Sequence, residues 1–102
     1  MKTLLHTVNK SPFDNGTLQT CLKFARQGSS VLLIEDGVYA AARDTAVSKQ
    51  VQEAMKSTPI YALRPDVEAR GLGPADLVVP VEVVSAQRMA EIMTDQDVIL
   101  SF

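Results

Sequence analysis

The chain has 102 residues, 46% hydrophobic and 22% charged, with a formal net charge of −2. That length suits one domain spanning residues 1–102, and the composition excludes a disordered or collagen-like chain. The slight acidic balance argues against direct nucleic-acid binding or a polybasic membrane surface, and a single cysteine with a single histidine can close neither a disulfide nor a zinc site within the chain.

Thr3 to Val8 reads as a first strand, short and apolar with β-branched residues. Ser11-Pro12-Phe13-Asp14-Asn15-Gly16-Thr17 is a loop of turn and cap residues opening a helix that runs to about Gln27. Asp14 is the expected N-cap, Ser11 with Pro12 the alternative start, and Gly28 the stop. Val31 to Ile34 is a second strand whose unbroken apolar run suits a parallel strand covered on both faces. Glu35-Asp36-Gly37 breaks it, and a short helical piece follows around Val38 to Ala42.

A longer helix is expected from about Thr45 to Lys56, with Val47, Val51 and Met55 on one stripe, ended by Ser57-Thr58-Pro59. Ile60 to Leu63 is a third strand. Pro65 then opens a helix whose Asp66, Glu68 and Arg70 suit its dipole, with Gly71 just past its end. Leu77 to Val84 holds a fourth strand interrupted by Pro80, Ser85 caps a helix through about Met93, and Val98 to Leu100 is a fifth strand. Strands alternating with helices predict an α/β fold, flavodoxin-like and three-layered, around a mostly parallel five-stranded sheet in the order 2-1-3-4-5.

No run approaches the ~20 apolar residues of a membrane span. His6, Asn9 and Lys10 interrupt any signal-peptide pattern, so the expected compartment is the reducing cytoplasm.

Cys21 is the obvious candidate for chemistry, because a thiolate is a nucleophile and a sulfur carrier. The helical wheel places it on one stripe with Leu18, Leu22 and Ala25, which predicts a core thiol, with Lys23 and Arg26 pointing elsewhere. His6 near the end of the first strand reads as structural rather than as a base. The Ser11–Thr17 loop can cradle an anion but carries no dinucleotide or P-loop fingerprint, so a capped turn is the simpler reading. Glu35 and Asp36 are adjacent carboxylates that diverge if the strand persists, which disfavours a shared Mg²⁺. Tyr39, Ala40 and Ala41 are expected to form an exposed apolar patch for partners.

Three segments carry a family resemblance. They are Leu5-His6-Thr7-Val8-Asn9-Lys10-Ser11-Pro12-Phe13, Leu33-Ile34-Glu35-Asp36-Gly37-Val38-Tyr39-Ala40-Ala41, and Tyr61-Ala62-Leu63-Arg64-Pro65-Asp66-Val67-Glu68-Ala69-Arg70-Gly71-Leu72. In this order and spacing they resemble the DsrH/TusB family of small sulfur-relay subunits. The resemblance implies a flavodoxin-like fold, and no cofactor is expected. It implies assembly with DsrE- and DsrF-like subunits in a heterohexamer that passes persulfide sulfur to a DsrC-like carrier during sulfur oxidation.

The alternatives are a TusB-like subunit of the TusBCD relay for tRNA 2-thiouridine synthesis, or a stand-alone domain using the Ser11–Thr17 loop for a flavin or phosphate. In both relays the established sulfur-carrying cysteine belongs to the DsrE or TusD subunit, so the resemblance implies an accessory subunit. Cys21 looks like a cysteine of DsrH-type members and is its candidate sulfur carrier. One departure is the ending Ile99-Leu100-Ser101-Phe102, where family members often carry a tryptophan-containing tail.

Overall fold

The computed structural model describes residues 4–13, 16–24, 29–78, 81–96 and 98–101. Its strands are β1 (Leu4–Val8), β2 (Ser29–Leu33), β3 (Ile60–Leu63), β4 (Glu82–Val84) and β5 (Val98–Ser101). They form one five-stranded sheet in the order β4-β3-β2-β1-β5, and every pairing is parallel. The helices are α1 (Thr17–Phe24), α2 (Ser48–Ala54), α3 (Arg64–Ala69) and α4 (Ala86–Thr94), with short 3-10 helices at Glu35–Ala41 and Pro74–Asp76.

Alternation along the strands divides the core between two faces. Val8, Val31, Leu33, Ile60 and Ala62 point to one face, where Leu18 and Cys21 of α1, Val51 of α2 and Val67 of α3 meet them. Leu5, Leu32 and Val84 point to the other, where Ile92 of α4 packs with Met89 and Met93. Each fully buried valine or leucine contributes about 1.5–3 kcal/mol, so both layers are needed to hold the sheet. Among the described residues no helix is long and apolar enough to cross a membrane.

The strand order differs from the expected 2-1-3-4-5. The crossovers from β1 through β4 step the same way across the sheet, and their helices share one face. The last crossover, α4, runs over the opposite face and returns β5 beside β1. Right-handed crossovers require this pairing of direction with face.

Several boundaries also shift. The expected helix 45–56 is α-helical only over Ser48–Ala54, because the Ser48 hydroxyl accepts the Thr45 N–H at 2.9 Å and ties off the preceding turn. The expected strand 77–84 shortens to Glu82–Val84. Its first part instead pairs antiparallel with the chain after the first 3-10 helix, through an Ala42–Leu77 bridge and a Val78 N–H bond to the Ala41 carbonyl at 2.7 Å. Ser85 caps α4 as expected, its hydroxyl accepting the Arg88 N–H at 3.1 Å. The proposed Asp14 cap, Ala25 of the Cys21 stripe, Arg26, the expected helix end at Gln27, Gly28, Pro80 and Phe102 lie outside the described residues.

Candidate functional site

Cys21 sits one turn into α1, on the stripe that faces the sheet, and none of its surface is exposed. Leu18 on the same stripe is equally enclosed, and both belong to the cluster containing Val8 and Val31. Burial in this apolar setting pushes the thiol up to about 11, because the anion would lose its hydration. Helix-dipole stabilisation of an anion fades beyond the first turn, and Cys21 is past it.

His6 lies on β1, buried, two residues before Val8 and so on the same face of the strand. Burial lowers its pKa, which keeps the imidazole neutral. In the loop after β1, Ser11 and Pro12 are buried while Phe13 is 52% exposed. The Ser11 hydroxyl accepts the Phe13 N–H at 3.2 Å, so it closes a turn of its own loop.

A cross-linked polar group stands at the carboxyl ends of β1, β2 and β3. Ile34 donates its N–H to the Val8 carbonyl at 3.0 Å, and Gly37 donates back to Ile34 at 2.8 Å. Glu35 between them is left-handed, with φ of 51°. Its N–H donates to the Asp66 carboxylate at 2.7 Å. Asp36 is gripped by Arg70, whose Nη2 and Nε lie 2.8 and 3.0 Å from one carboxylate oxygen. Arg70 also donates to the Asp66 carbonyl at 3.1 Å. Gly37 is forced: a Cβ there would stand 2.0 Å from the Val8 carbonyl oxygen.

Glu35 and Asp36 thus serve the turn. Among the described residues no group of three or more His, Cys, Asp or Glu side chains could hold a metal ion. Asp66 and Arg70 are residues that sequence reasoning read only as partners of a helix dipole. Their i,i+4 spacing was visible, but the acceptor Asp36 lies 34 residues from Arg70 and carries no local signal.

The expected Tyr39–Ala41 patch is not on the surface. Ala40 and Ala41 are fully buried and Tyr39 is half-buried, because the first 3-10 helix turns that side onto the sheet. The large apolar side chains that are exposed among the described residues are Phe13 and Ile99. Beside β4 a cavity of about 510 Å³ is lined by Val67, Leu72, Leu77, Val78, Val81 and Val83, with Arg64 and Glu68 also reaching it. Cys21 is not among its walls.

Comparison with known proteins adds the family. The family described as "DsrH like protein" matches residues 10–99. Protein TusB of Pectobacterium carotovorum subsp. carotovorum is 38% identical over 69 residues, covering 68% of this chain and 70% of the relative. Protein TusB of Erwinia tasmaniensis is 42% identical over 71 residues, with 68% and 70% covered. Among solved structures, the ychN protein of E. coli superposes with a TM-score of 0.87 over 100% of both chains, at 19% identity. A protein of unknown function from Methanobacterium thermoautotrophicum gives a TM-score of 0.82 over 100% of both chains, at 16% identity. At such identities these two likenesses show the fold alone. The family match over most of the chain and the relatives covering two thirds of it agree: this chain belongs to the DsrH-like protein family, in the company of proteins named TusB.

Proposed function

We propose that this chain is an accessory subunit of a sulfur-relay complex, of the TusB kind. In this reading it assembles in the cytoplasm with TusC- and TusD-like partners and serves tRNA 2-thiouridine synthesis. The observation that carries the reading is the 38% identity over 69 residues to a protein named TusB. The geometry of Cys21 supports the accessory role. A relay thiol needs access and an anion-favouring environment, whereas Cys21 is enclosed and its pKa stands at about 11. The sulfur-carrying cysteine then belongs to a partner, and this chain contributes interface area.

A second reading is a subunit of the DsrEFH type that passes sulfur to a DsrC-like carrier, with Cys21 taking a share of the load. The family description and the presence of Cys21 favour it. The test is complementation. Expression in a strain lacking its own TusB should restore 2-thiouridine in tRNA, and a Cys21→Ala variant should restore it equally. Absence of thiolation, with stable capture of DsrE- and DsrF-like subunits instead, would reject the first reading in favour of the second. A persulfide on Cys21 by mass spectrometry would reject the purely accessory role.

A further inference from the structure

We propose that Asp66 and Arg70 form a clasp that fastens the Glu35–Ala41 3-10 helix as a strap over the buried cluster containing Cys21. The clasp is independent of which relay the chain serves. Asp66 holds the Glu35 N–H at 2.7 Å, and Arg70 holds Asp36 at 2.8 Å. Asp66 lies in α3 and Arg70 directly follows it, whereas the turn they hold follows β2. Arg70 is itself braced by the Asp66 carbonyl at 3.1 Å, so the two residues act as one unit.

The turn needs such a clasp. Glu35 has φ of 51°, a left-handed conformation that a residue with a Cβ rarely adopts. The first 3-10 helix has no side-chain cap at its start, so its own residues do not secure that end. Beyond the turn, Val38, Ala40 and Ala41 are wholly buried in the same cluster as Cys21. The strap is therefore strained at its fastened end and apolar along its length. Losing the clasp releases the strained turn first, and the strap opens with it.

With Arg70 mostly enclosed and Asp36 half-exposed, losing these bonds changes a local opening equilibrium by up to about fivefold. The test uses the full chain and two local readouts: amide exchange at Glu35 and Gly37, and alkylation of Cys21 under native conditions. Leu32, in the middle of β2, reports global opening. Asp36→Asn and Arg70→Ala should each speed turn exchange and Cys21 alkylation by about fivefold, with Leu32 exchange little changed. Arg70→Lys keeps the charge without the fork and should fall between. Adding Glu35→Gly to Asp36→Asn removes the backbone strain and should slow both readouts again. If Arg70→Ala does not fold, Asp36→Asn alone decides, since Asp36 is half-exposed at its side chain. Turn exchange or Cys21 alkylation that stays at the wild-type rate would overturn the proposal, as would an equal acceleration at Leu32.

Discussion

Cys21 and His6 differ in chemistry but share one constraint, since burial disfavours the charged form of each. With the thiol pushed up to about 11, only about one molecule in ten thousand is a thiolate at neutral pH. Alkylation of the native chain should therefore be slow and should become fast in denaturant, as mass spectrometry of quenched samples will report. Cys21→Ser places a hydroxyl among Leu18, Val8 and Val31 and should cost about 1–3 kcal/mol by denaturant titration. A serine variant as stable as wild type would show that the site is wet. For His6 the folded pKa lies below its ordinary value of 6.5, so as pH falls the unfolded chain takes up the proton first. Its contribution is complete above pH 6.5 and is lost as pH falls through the lowered folded pKa. Denaturant midpoints at about pH 7.5 and about pH 5.5 should differ less in His6→Gln than in wild type. An unchanged difference would assign the acid sensitivity to other groups.

Gly37 and Ser85 make a useful contrast between elements. Both were visible as punctuation, one in an Asp-Gly turn and one before a helical stripe. Ser85 does what its position predicts and accepts the Arg88 N–H at 3.1 Å. Ser85→Ala should cost about 1 kcal/mol, the usual loss of an N-cap. Gly37 has a heavier task. It lies where the first 3-10 helix crosses the end of β1, and an added Cβ would meet the Val8 carbonyl at 2.0 Å. The obstacle is backbone whose Val8 carbonyl already accepts from Ile34, so it cannot step aside cheaply. Gly37→Ala should therefore cost on the order of 3 kcal/mol or more. Thermal melts of the two variants will separate these losses, and equal shifts would mean the close approach relaxes easily.

At the level of the whole molecule, the two edge strands of the sheet, β4 and β5, carry different residues. β4 carries the exposed Glu82, a charge of the kind that blunts edge pairing. β5 reads Val98-Ile99-Leu100-Ser101, without a charge, and Ile99 is 42% exposed. Self-association at raised concentration is therefore expected to run through the β5 edge. Ile99→Lys should leave the melting temperature within a degree or two of wild type and shift sedimentation towards the monomer. If sedimentation is unchanged, the exposed Phe13 on the loop after β1 becomes the apolar contact to substitute.

Some of this architecture needs no tertiary information. The alternation of strands and helices, the Ser85 cap and the inward stripe of Leu18 and Cys21 follow from local periodicity and hydrogen-bonding capacity, which act within a few residues. The family resemblance likewise sat in three contiguous segments. Strand order did not, because it depends on which sheet face each helix buries, and α4 differs from the other helices in that choice. Nor did the pairing of Leu77 with Ala42, which takes residues that read as strand and bonds them to a distant turn. The grip of Arg70 on Asp36 has the same origin. An arginine near a helix end looks complete as a dipole partner, and its true acceptor is 34 residues away. Short-range patterns select the elements; the handedness of the crossovers and the close approach at Gly37 select how those elements meet.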